Sequence, residues 1–214
     1  MPRPVKYDDT DLLDRSYDLL WRDGCDSVSI RDLERALDLK APSIYRRFHS
    51  RHELIARSVD RYTGRVVGGR IRRHLDATVD PVVGLRAFFT SAIEPAPGES
   101  VPRGCLLTLT AGQAACDHPG VRGAVDSGLV SVEAALRAQV HRAVGSGRAA
   151  PGADPEALAT ALFVAFEGLM VLARSGHSGL DGAVEQLLDA CFPPVRSAVS
   201  TRSATARRED HDHE

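Results

Sequence analysis

Long apolar runs are missing from this chain of 214 residues: no stretch reaches the eighteen or so uninterrupted apolar residues that a membrane span requires. The N-terminal Met1-Pro2-Arg3-Pro4-Val5-Lys6 runs straight into Asp8, Asp9 and Asp11, leaving no room for the apolar segment of a secretion signal. Cysteine is sparse and scattered. Cys25, Cys105, Cys116 and Cys191 include no C-x-x-C pair and outline no small disulfide framework, so they read as thiols of a cytoplasmic protein. Lysine is nearly absent (Lys6 and Lys40 only), which leaves arginine to carry the positive charge. No nucleophile–base pair, phosphate-cradling glycine loop or H-E-x-x-H motif is present, so no catalytic residue, cofactor or metal site is expected and an enzyme is disfavoured. Alternating strand patterns and internal repeats are lacking too.

What is present is helix. Leu13, Tyr17, Leu20 and Trp21 form one stripe of a helix that Gly24 closes, and Ser29 caps a second short helix carrying Ile30, Leu33, Ala36 and Leu37. A third is expected from about Ala41 to Phe48, with Pro42 in a first turn that needs no N–H there. Ser50 caps a long fourth helix reaching about Leu75, and Asp80-Pro81 opens a fifth ending near Ile93. The segment 94–102, with three prolines and a glycine, is the clearest loop. Further helices are expected from about Arg103 to Ala115, from Pro119 to Gly145, after Asp154-Pro155 to about Ala173, and from Leu180 to Cys191. The fold class is therefore all-α, with about nine helices.

Charge is unevenly placed. Residues 27–75 hold twelve basic against five acidic side chains, whereas 1–26 hold four against seven and 76–214 eleven against seventeen. A positive segment within an acidic chain suits a polyanion, because arginine and lysine displace phosphate counterions. Within it, residues 29–48 read as helix, tight turn, helix. Ile30, Leu33, Ala36, Leu39, Ile44 and Phe48 face inward, and Asp38 stands where the turn needs a left-handed backbone. The second of these helices is too short to stand alone, so its neighbours must clamp it, leaving Ser43, Tyr45 and Arg46 outward for a major groove.

Here the chain resembles the tetracycline-repressor (TetR) family. The residues that carry the likeness are Ser29, Leu33-Glu34, Ala36, Asp38-Leu39, Ile44-Tyr45-Arg46-Arg47-Phe48 and Ser50-Arg51-His52-Glu53-Leu54. Two positions depart from the family pattern: Asp38 replaces the usual turn glycine, and Glu34 replaces a small residue, which suggests a solvent-facing position. The resemblance implies a three-helix DNA-binding head over residues 1–52, a larger helical effector-binding and dimerisation body over 53–199, and a disordered polar tail over 200–214. It places Ser29, Arg31, Lys40, Ala41, Pro42, Ser43, Tyr45, Arg46 and Arg51 at double-stranded DNA, with Ser29 and Arg31 at one phosphate, Tyr45 at another and Arg51 on the far flank. Arg47 reads as merely solvated.

The last two helices are apolar on more than one face, and the resemblance makes the surplus a homodimer seam: Leu158, Leu162, Leu169, Val184, Leu187, Leu188 and Cys191. Two heads about 34–36 Å apart would then read a near-palindromic operator. For a small-molecule effector the candidates are Phe88, Phe89, Cys105, Leu109, Gln113, Phe163, Phe166, Glu167 and Met170, although the aromatic and Met positions also read as plain core. Glu167 is the sole charge between Leu158 and Leu172, and either orients a polar or cationic ligand or sits in a salt bridge or dimer seam. The function expected is a repressor released by a mainly hydrophobic ligand. The alternative is a repressor that senses oxidants through Cys105, a thiol beside Arg103 near a helix start.

Overall fold

The computed structural model describes residues 8–193, and among them every regular element is helical. The expectations for the chain before residue 8 and for the tail lie outside the described residues. Asp8 caps α1 (Asp9–Asp23) by accepting from the Thr10 amide at 3.4 Å. α2 (Ile30–Leu37) opens with a capping box. The Ser29 hydroxyl takes the Asp32 amide, and the Asp32 carboxylate takes the Ser29 amide at 2.8 Å. Asp38 then turns the chain in the left-handed conformation, φ 52° and ψ 41°, as the missing glycine requires. α3 (Ala41–Phe48) follows, and Ser50 caps α4.

α4 runs without a break over residues 51–76, but not as pure α-helix. An α-helical stretch Arg51–Tyr62 passes into a π-helical turn Thr63–Val67, a short α stretch Gly68–Ile71 and a second π turn Arg72–Asp76. The remaining helices are α5 (Pro81–Ile93), α6 (Leu106–Ala111), α7 (Pro119–Gly145), α8 (Pro155–Arg174) and α9 (Leu180–Cys191), so the nine expected helices are all found. α6 is shorter than the sequence suggests. Gly104 holds φ +74°, and a Cβ there would stand 2.9 Å from the Met170 carbonyl oxygen, so no helix can begin before Cys105. Gly112 ends α6, and a 3₁₀ turn, Ala114–Asp117, completes the connection to α7.

α4 packs along α1 on one side and α7 on the other; α7 in turn packs on α8, and α5 wedges between α7, α8 and α9. Gly128 lets these layers approach, since a Cβ there would meet Leu107 at 2.7 Å and Thr63 at 2.8 Å. The buried cluster is continuous from Leu12, Leu33, Ile44 and Phe48 through Leu54 and Tyr62 to Phe88, Phe166 and Leu188. α4 carries it across the expected boundary at residue 52. By length and mean hydropathy (1.8 over its best window), α8 passes the composition test for a membrane span that run-counting missed. Its Ala159, Leu162, Phe166, Met170 and Ala173 are buried in this core, so part of that apolar character is accounted for by packing.

Candidate nucleic-acid interface and effector body

The charged residues of the head divide into two sets by what they touch. One set ties α1 to its neighbours. Arg47 and Arg57 pair with Asp9, the latter at 3.4 Å with its guanidinium 5.1 Å over the Phe48 ring, while Arg61 (2.7 Å) and Arg65 pair with Asp14. The hydrogen bond from Arg61 holds the Asp14 carboxyl below its ordinary range, against the opposing effect of burial. Arg47 is thus a half-buried clamp on α3, not the solvated side chain the sequence suggests. The other set faces outward: Arg31, Lys40 and Arg46 are exposed and form no ion pair with the described residues. Tyr45 stands among them, 42% exposed on the outer face of α3, with Pro42 exposed and Ala41 and Ser43 half-buried at the helix start.

Two residues expected at DNA are otherwise engaged. Arg51 turns inward, donating from Nε to the Val28 carbonyl at 3.1 Å and from Nη2 to the carbonyls of Val28 (2.9 Å) and Cys25. Those carbonyls lie past the end of α1 and have no helical donor, so the guanidinium braces the α1–α2 connection. Ser29 spends its amide and hydroxyl on Asp32, whose carboxyl that contact and Arg35 lower to about 2. The first-turn amides of Ile30 and Arg31, which lack acceptors within α2, are what that end keeps for a phosphate.

Sequence reading missed Glu34. Lys40 occupies the N-cap of α3 and offers no cap of its own, and Glu34 reaches across the turn to accept the Ala41 amide at 2.7 Å. The departure from the family's small residue is therefore a borrowed cap. The only signal in the sequence was that both unusual positions, Glu34 and Asp38, flank one turn.

In the body, the candidate effector residues do not gather round one opening. Phe88, Phe89 and Phe166 are buried against one another, with centroids 4.6 Å and 5.2 Å from the Phe166 ring. They are core. Leu109 and Phe163 are half-exposed. Gln113 belongs to the joint between head and body: its Oε1 accepts from the Cys25 amide at 2.7 Å, and the Asp26 carboxylate accepts in return from the Ala114 (2.7 Å) and Ala115 (2.8 Å) amides. Nearby, the His52 and His118 rings stack at 4.7 Å. Arg174 closes the joint's far side by donating to the carbonyls of Trp21, Arg22 and Arg103.

Cys105 and Glu167 do come together at the start of α6, whereas the Met170 sulfur meets Arg70 at 3.7 Å. The Glu167 carboxylate accepts from the Thr108 hydroxyl, and burial raises its pKa. Cys105 is 7% exposed; burial pushes its thiol up, and the neighbouring Glu167 adds to that. Arg103, the expected activator, is instead committed to Asp18 and Glu99 and lies 5.4 Å over the Trp21 ring. Burial and the neighbouring Glu167 thus disfavour the thiolate on which the oxidant-sensing alternative would draw.

Of the expected dimer residues, Leu162, Leu169, Val184 and Leu188 are buried within the protomer, and only Leu158, Leu187 and Cys191 reach its surface. The outward face of α8 is instead Ala157, Ala161, Val164, Gly168, Val171 and Leu172, at helical spacing. Burial by the chain's own core and by a partner cannot be separated by periodicity alone, and the inner stripe won.

A helix-turn-helix head with outward basic side chains, mounted on a helical body, defines a DNA-binding transcriptional regulator. A family profile described as "Bacterial regulatory proteins, tetR family" matches residues 12–57, and "Tetracyclin repressor-like, C-terminal domain" matches 81–181. The chain belongs to the TetR family. It is similar to the TetR family transcriptional regulator CifR, solved as a cysteine mutant on a 26-base-pair operator duplex: TM-score 0.76, 27% identity, covering 88% of this chain and 99% of that one. NemR of E. coli, solved in its reduced form, shares the fold at TM-score 0.77 and 18% identity over 88% of this chain and 100% of that one. The HTH-type transcriptional repressor ComR of Escherichia coli (strain K12) is 24% identical over 176 residues, 82% of this chain and 84% of the relative.

Proposed function

We propose that the protein is a homodimeric repressor that grips a near-palindromic operator and lets go when a small molecule binds its body. The observation that carries this is the sorting of the head's cations. Arginines that pair with carboxylates lock α1 to α3 and α4, while Arg31, Lys40 and Arg46 remain outward around Tyr45. Phosphate contacts of this kind set register, and the few side chains at the start of α3 set sequence. Repression by ComR supports the sign of the regulation. The apolar outer face of α8, with Val164 at 65% and Val171 at 53% exposure, supports the dimer, as does the apolar groove of about 280 Å³ that Gly168, Leu172, Ala183 and Leu187 line between α8 and α9. The head meets the body through Gln113, Asp26 and Arg174, so a shift of α6 or α8 reaches the head directly. An effector acts only if it binds the DNA-incompetent state better.

The test is a gel-shift titration against the DNA upstream of the protein's own gene. Lys40→Ala is expected to weaken binding by about tenfold and Tyr45→Phe by somewhat less, as for lost charge-assisted and neutral phosphate contacts. Arg47→Ala should lower thermal stability first. Wild-type affinity in both Lys40→Ala and Tyr45→Phe would place the interface elsewhere.

A further inference from the structure

A cleft of about 570 Å³ lies apart from the reading head's outer face and from the phenylalanine core. It is bounded by the C-terminal half of α4, the end of α5 and the connection into α6, and one wall is Trp21 of α1, the only tryptophan in the chain. The volume is that of a site for one small molecule. Both π turns of α4 face it, the first through Arg65 and Val66, the second through Arg73 and His74. Such turns re-aim side chains that a regular helix would place elsewhere.

The charges in the cleft are not balanced. Arg65 is spent on Asp14, and Arg103 on Asp18 and Glu99. Arg70 and Arg73 form no ion pair with any described residue. Arg70 is half-buried; its guanidinium hydrogen-bonds the Met170 sulfur at 3.7 Å and the Ser91 carbonyl at 3.5 Å, and its charge reaches the buried Glu167 carboxyl without forming an ion pair. Glu94, the remaining acid of the lining, is exposed. A part-buried guanidinium without an ion-paired carboxylate is costly, and its planar fork of donors is what best fits one. Beside it, the Trp21 indole Nε1–H is buried with no acceptor. Gly69 lies on the same surface. It sits mid-helix, where glycine costs about 1 kcal/mol against alanine, yet a Cβ there would meet nothing within 4 Å. Packing does not require this glycine; it leaves the cleft floor clear.

We propose that this cleft binds a small aromatic carboxylate, its carboxylate on Arg70 and Arg73 and its flat body against Trp21. His74 completes the polar end. Burial, and then the charges of Arg73 and Arg70, push its pKa down against the opposing charge of Glu94, which favours the neutral imidazole, able to donate one hydrogen bond. The effector is then an acid held beside α1, not a hydrophobic molecule in the phenylalanine core. Occupancy presses on the α1 wall, which Arg174 and Arg103 tie to the body, and so reaches the head. This last step rests on the ligand-released reading above; the binding site does not.

Calorimetric titration of the full-length dimer with benzoate, cinnamate and naphthoate, each against its amide, tests the site, with Trp21 fluorescence reporting occupancy. At least one acid is expected to bind, with its amide at least about tenfold weaker, as for loss of a charge-assisted pair. Arg70→Gln should weaken the acid by a similar factor. Gly69→Leu should abolish binding while Gly69→Ala retains it, which separates blocking from misfolding. The proposal is overturned if no acid binds, if amides bind equally, if Arg70→Gln is unaffected, or if inorganic phosphate displaces the acid at similar concentration. An acid that binds at the cleft but leaves operator affinity unchanged keeps the site and overturns only the effector reading.

Discussion

Glu167 shows how one side chain sets a pH dependence. One carboxylate oxygen takes the Thr108 hydroxyl; the other is buried without a partner. Burial raises its pKa from the ordinary 4.5, and hydrogen bonds from Thr108 and Cys105 with the charge of Arg70 only partly oppose this. A carboxyl raised in the folded state binds its proton more tightly there than in the unfolded chain. Its ionisation therefore costs stability, none of it felt well below pH 4.5 and all of it once the pH has passed the folded value. Glu167→Gln, which keeps an acceptor for Thr108, is expected to melt higher than wild type at neutral pH and to converge with it in acid. Equal melting temperatures at both pH values would mean that the carboxyl is not strained by burial. Glu34 and Asp38 work at the same scale, one lending α3 a cap and the other supplying a left-handed turn without glycine. The left-handed turn was legible because the family pattern marks it. The cap was not, because Glu34 and Ala41 lie seven residues apart and only the fold of the turn brings them within reach.

The joint between head and body is a matter of whole elements. The connection after α1 and the turn after α6 exchange hydrogen bonds in both directions, Gln113 to the Cys25 amide and Asp26 to the Ala114 and Ala115 amides. Each side chain satisfies amides that neither helix could serve. Gln113→Ala leaves the part-buried Cys25 amide unpaired, and a loss of about 1–3 kcal/mol is expected. Amides 24–27 should also exchange with solvent faster, while those of α8 are unchanged. Uniform exchange would show that the joint carries no separate stability. Helix boundaries were largely legible here, since Ser29, Ser50, Asp80 and Asp154 all cap where expected. The shortened α6 was not, because Gly104 takes φ +74° where a Cβ would meet the Met170 carbonyl, a neighbour from a distant segment.

For the molecule as a whole, the proposed dimer turns on the exposed face of α8. Val164 and Val171 are more than half exposed yet line up with Ala157, Ala161 and Gly168, small residues that permit close helix approach. In the proposed seam a charge placed there would be left unpaired, at a cost of several kcal/mol, whereas in a monomer it is solvated. Val164→Asp with Val171→Asp should therefore run as a folded monomer by light scattering at micromolar concentration, with unchanged helix content and operator affinity reduced at least about a hundredfold. A doubly charged variant that stays dimeric would move the seam off α8.

The sequence by itself determined the helices, the reading head and the family, because caps, helical periodicity and the spacing around Tyr45 are local properties of the chain. Tertiary structure alone decided which cations face outward, since Arg47 and Arg51 look as available as Arg46 until Asp9 and the Val28 carbonyl arrive beside them. It decided which apolar stripe of α8 is core and which is left exposed. It also placed Arg70 and Arg73, which form no ion pair with the described residues, in a cleft assembled from three separate segments and one residue of the head. Pairing across space depends on which distant groups burial brings together, and no spacing along a chain records that.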